Sequence, residues 1–297
     1  MATVIEAAGL ARSFGAHRAV DDVSFEVREG EVFGFLGPNG AGKSTTIRML
    51  LGLYRRDAGS VSVFGLDPAH SPAAINDRVG YLPGELALHG RLTGRAHLDV
   101  AVRARGMRDL TLRDELVERF DIDLDRPVHT LSKGNRQKIG ILLAFMHRPD
   151  VLVLDEPTPG LDPLLQDEFA RLLREVVADG RAVFLSSHEL DEVQRVVDRL
   201  VIIRAGRIVV TDTVEGLRSR APRTVQFRFD GAVDAAPFAR LDGVQVISNH
   251  KGTVSLSVSG PVGPTLRVAA DLRAVDVTAR PSDLDELFLR YYRTDEP

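Results

Sequence analysis

Cysteine and tryptophan are absent from this chain of 297 residues. Without cysteine there can be no disulfide framework, no thiolate zinc site and no cysteine nucleophile. Long apolar runs are also missing, since residues 139–146 form the most apolar stretch and roughly 18–20 residues are needed to span a bilayer. The N-terminus lacks the basic start and apolar core of a signal peptide. We therefore expect a cytoplasmic protein that a partner would have to bring to a membrane.

An excess of basic residues is missing as well. The chain has 38 Lys and Arg against 42 Asp and Glu, for a formal net charge of −4. Nucleic-acid binders usually carry a marked basic patch or excess, so we expect no nucleic-acid partner. The 44% of hydrophobic residues and 27% of charged residues are those of a globular protein and exclude a disordered or collagen-like chain.

Strand and helix patterns alternate along the first two thirds of the chain. This alternation predicts an α/β fold with a mostly parallel sheet that is covered on both faces. After Arg220 the pattern changes to short valine-rich strands, which predicts a small α+β domain over 221–297 behind a first domain over 1–220. The predicted strands are 19–27, 31–36, 151–154, 183–185, 199–204, 207–212, 224–229, 244–248 and 253–258, and the predicted helices are 44–53, 93–120, 133–146, 163–179, 189–197, 265–271 and 283–292.

A glycine-rich loop follows the apolar strand 31–36 and precedes a helix. It fits the phosphate-loop pattern GxxxxGK[ST] in the required strand–loop–helix context. Its glycines allow backbone N–H groups to approach phosphates, Lys43 would reach the β- and γ-phosphates, and Ser44 would bind Mg²⁺. The loop consists of Gly37, Pro38, Asn39, Gly40, Ala41, Gly42, Lys43, Ser44 and Thr45.

Two carboxylates end the apolar strand 151–154. Asp155 would hold the metal ion of a phosphate-loop site, and Glu156 could polarise the attacking water as general base. Alone, the pair could equally be solvated acids at a strand end. Beside the phosphate loop, the catalytic interpretation is favoured.

A third motif, Leu-Ser-Lys-Gly-Asn-Arg-Gln-Lys at 131–138, opens the helix that leads into the acidic strand. Ser132 can cap this helix, and Gly134 permits close approach of a phosphate. The motif resembles the signature sequence of the ATP-binding cassette (ABC) superfamily, with Asn135 where glutamine is common. The resemblance covers about residues 3–218.

The resemblance implies a fold and further site residues. It implies a P-loop NTPase cassette with an antiparallel N-terminal β subdomain and a helical subdomain at about 88–148. His188 would contact the γ-phosphate, and Phe14 lies where an aromatic ring stacks on adenine. Gly84 replaces a glutamine that helps to bind Mg²⁺ in the family, and the adjacent Glu85 could substitute for it as a metal ligand.

The resemblance also implies partners. In the family, ATP is bound between the phosphate loop of one cassette and the signature of another. One chain holds one of each, so a homodimer, or a heterodimer with a second cassette, is implied. The segment 91–125 would dock on an integral membrane permease at the cytoplasmic face of the cell membrane. The layout resembles ATPase subunits of drug-resistance and of polyketide- or lipid-export systems.

Two alternative functions are kept, a soluble cassette ATPase and an importer ATPase, and a third is disfavoured. A cassette ATPase that acts on ribosomes, DNA or chromosomes would carry two cassettes, a long coiled coil or zinc cysteines, and the sequence has none of these. An importer ATPase differs mainly in its permease. A nucleotide kinase or GTPase would have no reason to carry the 131–138 motif.

Overall fold

A computed structural model describes residues 2–220 and 222–280 of the chain. These residues form two compact units that divide between Thr211 and Asp212. The domain boundary predicted from the sequence lies nine residues later, between 220 and 221. The helix 214–220 thus falls in the second unit.

The first unit contains two sheets. An antiparallel sheet in the order β2-β1-β4 consists of β1 (Thr3–Phe14), β2 (His17–Arg28) and β4 (Ala58–Val63). A six-stranded sheet in the order β5-β6-β7-β3-β8-β9 consists of β3 (Val32–Leu36), β5 (Val79–Leu82), β6 (Val151–Asp155), β7 (Ala182–Ser187), β8 (Arg199–Arg204) and β9 (Arg207–Thr213).

The five strands from β5 to β8 in this larger sheet run parallel. Every residue of β3, β6 and β7 is buried, as expected for strands that are covered on both faces. Phe25, Phe33, Phe35 and Phe184 pack together in the core, with ring centroids between 5.3 and 6.0 Å apart. The predicted α/β class with an antiparallel N-terminal sheet is confirmed.

Helices complete the first unit. Those between residues 94 and 145 form the helical region predicted at about 88–148. The single helical segment predicted at 93–120 is wrong, because Gly106 adopts a left-handed φ of 61° and ends the first of two helices. The helices are α1 (Lys43–Leu50), α2 (Pro72–Arg78), α3 (Gly94–Arg105), α4 (Thr111–Arg119), α5 (Lys133–Phe145), α6 (Pro163–Ala178) and α7 (Leu190–Val196).

The second unit is a four-stranded antiparallel sheet in the order β11-β12-β10-β13 with helices in a β-α-β-β-α-β chain order. Phe227 and Phe238 stack at 5.5 Å within its core. The predicted α+β class is confirmed, whereas the helix predicted at 283–292 lies outside the described residues. The elements are α8 (Val214–Arg220), β10 (Arg223–Arg228), α9 (Ala236–Ala239), β11 (Val244–His250), β12 (Thr253–Val258), α10 (Gly263–Asp271) and β13 (Asp276–Arg280).

Across the described ranges 2–220 and 222–280, none of the helices has the length and apolarity that crossing a bilayer would require.

His147, just after α5, makes the stability of the first unit depend on pH. Its Nε2 donates to the Val79 carbonyl at 3.2 Å, while its buried Nδ1 has no partner. Burial, followed by the nearby positive charge of Arg105, lowers the pKa of His147 to about 4. Because this pKa lies below the unfolded value of about 6.5, the unfolded chain binds more protons in between. Stability is therefore lost as the pH falls from about 6.5 toward 4.

We expect His147→Gln to remove this contribution. Between pH 7 and pH 5 the wild-type free energy of unfolding should fall by about 1 kcal/mol more than that of the variant, after allowance for the partly exposed ring. Urea unfolding of both proteins at the two pH values measures the difference. Equal losses in the two proteins would show that His147 does not carry the effect.

Candidate active site

The phosphate loop lies between the end of β3 and the start of α1. Gly42 is the N-cap of α1 with a φ of 109°, and a Cβ atom there would lie 2.4 Å from the Ala19 carbonyl oxygen. A Cβ atom at Gly37 would lie 2.3 Å from the carbonyl oxygen of Ile203. Only glycine fits these two positions, and the loop places the free N–H groups of a helix N-terminus where an anion can bind.

Lys43 begins α1 and is buried, with 6% of its side chain exposed. Its Nζ donates to the carbonyl oxygens of Gly37 at 2.6 Å and Pro38 at 3.2 Å. The same Nζ lies 3.3 Å from Oε1 of Glu156, which is an ion-pair distance. This Oε1 is buried and accepts no hydrogen bond, so besides its ion pair with Lys43 it could still accept one.

Asp155 and Glu156 stand at the end of β6. Asp155 is buried, and its Oδ1 accepts a hydrogen bond from Ser186 Oγ at 2.5 Å. Glu156 has a φ of 51°, and its backbone N–H donates to the Ser186 carbonyl at 3.1 Å. The neighbouring end of β7 therefore fixes both acids.

His188 follows β7 and contacts the carboxylate of Glu156. Its Nδ1 lies 2.7 Å from Oε2 of Glu156, and 39% of its side chain is exposed. Because a carboxylate only accepts, Nδ1 carries the proton of this bond. Glu156 thus lies between a buried ammonium group and an imidazole.

The signature motif opens α5. Ser132 Oγ accepts a hydrogen bond from the Asn135 N–H at 3.2 Å, which confirms the predicted cap. Ser132 itself is exposed. A Cβ atom at Gly134 would lie 2.3 Å from the Gly160 carbonyl oxygen, so the start of α5 packs directly on the loop that follows Glu156.

The structure brings some of the predicted residues together and leaves others apart. Lys43, Glu156 and His188 form one cluster, Asp155 precedes Glu156 in the chain, and Ser44 and Thr45 follow Lys43 on α1. Phe14, at the end of β1, is 42% exposed and meets the edge of Tyr54, with centroids 5.5 Å apart. The guanidinium group of Arg12 lies over the Phe14 ring, 5.0 Å from its centroid, and stacking of Phe14 on adenine stays a prediction.

Glu85 does not join this cluster. It is exposed and makes no hydrogen bond or ion pair within the residues that the structure describes. The neighbouring Gly84 lies beside Asp155, because a Cβ atom at Gly84 would lie 3.5 Å from a carboxylate oxygen of Asp155. Glu85 as a metal ligand stays a prediction.

The oxygen atoms of Asp155 and Ser44 are suited to Mg²⁺, which needs few protein ligands when it is bound together with phosphate. Over residues 2–220 and 222–280, no three His, Cys, Asp or Glu side chains cluster as a metal cage. Mg²⁺ is usually bound by one or two carboxylates together with phosphate oxygens and water. Asp155 and the Ser44 hydroxyl supply that kind of donor set beside a phosphate loop.

Sequence reasoning missed two residues of the site. Ser186, the partner of Asp155, could have been found because it lies one residue before the end of the strand next to the acidic one, where parallel strands share an edge. Gln137 is buried and donates from Nε2 to the Pro157 carbonyl at 2.7 Å. Its signal was a polar residue among the apolar positions of α5.

Comparison with known proteins indicates the family of the chain. The sequence model of the family described as ABC transporter matches residues 20–159. The bacitracin transport ATP-binding protein BcrA of Bacillus licheniformis is 33% identical over 231 residues, covering 77% of this chain and 76% of that protein. The daunorubicin/doxorubicin resistance ATP-binding protein DrrA of Streptomyces peucetius is 33% identical over 300 residues, covering 96% and 91%.

A solved ATP-binding subunit of an ABC transporter is also similar, with 32% identity and a TM-score of 0.66 over 73% of this chain and 92% of that chain. A dimeric bacterial ABC transporter cassette shares the fold, with 19% identity and a TM-score of 0.64 over 71% and 98%. The fold, the cluster around Glu156 and the relatives over nearly the full length agree: the chain belongs to the ABC transporter family, as one of its ATP-binding ATPase subunits.

Proposed function

We propose that this chain hydrolyses ATP to power a separate membrane permease that exports drugs, polyketides or lipids. The observation that carries the proposal is the placement of Glu156 between Lys43 and His188, next to Asp155. The names of its relatives, which include drug-resistance and Nod factor export ATP-binding proteins, support export. An importer ATPase is the second candidate, and the identity of the permease decides between them.

The phosphates of ATP would lie in the loop 37–45, with Lys43 against the β- and γ-phosphates. Ser44 and Asp155 would hold Mg²⁺, which neutralises charge on the phosphates when it is bound. Phe14 would stack on the adenine. Ser132, Gly134 and Asn135 would contact the ATP of a second cassette.

The chemistry is an in-line attack of water on the γ-phosphorus, in which the new P–O bond forms as the bond to the β–γ bridging oxygen breaks and ADP leaves. Glu156 accepts the proton of that water at its carboxylate, whose Oε1 also lies 3.3 Å from the ammonium nitrogen of Lys43. His188 holds the other oxygen of the same carboxylate and so fixes its orientation. Catalysis here is mainly positioning and charge neutralisation.

The proposed function requires two partners, a second cassette and a permease. The exposed Ser132 at the start of α5 is open to a second cassette, and a head-to-tail homodimer is the simplest supply of one. The segment 91–125, which contains α3 and α4, would dock on the permease. The assembly would thus lie on the cytoplasmic face of the cell membrane.

An affinity purification of the tagged chain from gently solubilised native membranes tests this function. We expect one integral membrane protein without its own cassette, in stoichiometric amount, to co-purify with the chain and be identified by mass spectrometry. The tag alone is the control. Recovery of ribosomal or DNA-bound partners with a chain that stays in the aqueous fraction would overturn the proposal.

A further inference from the structure

We infer that Gln137 is a positioning residue for Glu156 and acts through the backbone of Pro157. The inference rests on the proposed function, because it takes Glu156 as the proton acceptor. Gln137 lies in the first half of α5, outside the cluster of Lys43, Glu156 and His188. It would therefore affect the reaction without contacting ATP.

The contact is direct and buried. Gln137 is 7% exposed, and its Nε2 donates to the Pro157 carbonyl oxygen at 2.7 Å. Pro157 immediately follows Glu156 in the chain. A change in the position of the Pro157 peptide would therefore move the main chain that carries the catalytic carboxylate.

The backbone at Glu156 needs such support. Its φ of 51° lies in the left-handed region, which side-chain-bearing residues adopt rarely and at a cost. The proline that follows also disfavours helical conformations at the preceding residue. Two hydrogen bonds flank this strained position, one from the Glu156 N–H to the Ser186 carbonyl at 3.1 Å and one from Gln137 to the Pro157 carbonyl.

Gln137 is attached to a rigid element. Further along α5, Ile139, Leu142 and Phe145 are buried in the core. At the start of the helix, the close approach of Gly134 to the Gly160 carbonyl presses α5 against the loop that follows Glu156. A side chain on such a packed helix can fix a neighbouring loop to within a fraction of an ångström.

The same loop offers a matched comparison. Gln166 on α6 also donates from its side-chain amide to a loop carbonyl, that of Leu161, at 3.3 Å. This bond lies five residues after Glu156 and is not next to the strained peptide. If hydrolysis depended only on the general stability of the loop, loss of either hydrogen bond would lower kcat to a similar extent.

Gln137→Met and Gln166→Met test the inference in the full chain. Methionine has nearly the size of glutamine and cannot donate. We expect Gln137→Met to lower kcat for ATP hydrolysis by about 10²-fold, the usual effect of a misplacement of about 1 Å, with the Kd for ATP unchanged. Gln166→Met should keep the wild-type kcat. Equal losses in the two variants, or a raised KM at unchanged kcat in Gln137→Met, would overturn the inference.

A double-mutant cycle with Glu156→Gln separates positioning from a structural role. If Gln137 acts through Glu156, adding Gln137→Met to Glu156→Gln should lower the residual rate no further. An additive loss would overturn the inference. A wild-type chain that binds ATP but does not hydrolyse it would instead refute the proposed function itself.

Gln137→Glu keeps the test valid if the methionine variant does not fold. An ionised carboxylate cannot donate to the Pro157 carbonyl, whereas a protonated one can. The kcat of Gln137→Glu relative to wild type should therefore rise as the pH falls from 8.5 to 6, because burial raises the pKa of a carboxyl group. A ratio that stays constant across this range would overturn the inference.

Discussion

Replacing Glu156 with glutamine should reduce kcat for ATP hydrolysis by about 10²- to 10⁴-fold, which is the range for loss of a general base. The amide has the size of the carboxylate and cannot accept a proton at neutral pH. Binding should persist, because the phosphate loop and Lys43 are untouched. The variant should therefore hold ATP and remain in the closed dimer.

Two measurements check this expectation. Steady-state phosphate release gives kcat, and titration with a fluorescent ATP analogue gives Kd. Glu6→Gln, an identical change on the exposed side of β1, is the matched control and should behave as the wild type. Rapid hydrolysis by Glu156→Gln would refute the assignment of Glu156 as the base.

Replacing Lys43 with alanine should weaken ATP binding by about 10- to 100-fold, since a charged hydrogen-bond donor contributes about 1.5–3 kcal/mol. In the structure this ammonium group already bonds to the Gly37 and Pro38 carbonyls, which places it inside the loop. Its loss also leaves the Glu156 carboxylate without its cation, so hydrolysis should fall too.

Lys251→Ala is the control for this change, because Lys251 is an exposed lysine in the second unit. Nucleotide titration of both variants at the same ionic strength measures the effect. An unchanged Kd for Lys43→Ala would discredit the assignment of 37–45 as the phosphate site.

The chemistry of the site could be predicted largely from the sequence. Phosphate-loop spacing, a strand that ends in two acids and a capped signature helix each depend on a few consecutive residues. The parallel sheet then brings the ends of its strands to one edge, so Lys43, Glu156 and His188 meet although they are far apart in sequence. The order of strands and helices along the sequence is sufficient to predict that these residues lie close together.

Other features of the structure were not predicted from the sequence pattern. Gly106 ends α3 because its left-handed backbone allows two capping hydrogen bonds, and the run of helix-forming residues around it concealed this. The strand β13 lies on an edge with all five residues exposed, and its short alternation of apolar and polar residues is identified as a strand only by its pairing with β10. The bond from Gln137 to Pro157 joins a helix to a loop 20 residues later.

We propose that ATP joins two copies of this chain, with the phosphate loop of one against the signature of the other. Light scattering of Glu156→Gln with saturating Mg²⁺-ATP tests it most directly. We predict a particle of twice the monomer mass, and a monomer when Ser132→Arg is added, because an arginine at this exposed cap would obstruct the opposing nucleotide. The added change should leave Kd for ATP in the monomer unaltered, at a cost of about 1 kcal/mol in helix capping. A chain that stays monomeric with ATP bound, or a dimer that persists with Ser132→Arg, would refute a dimer in which ATP lies between phosphate loop and signature.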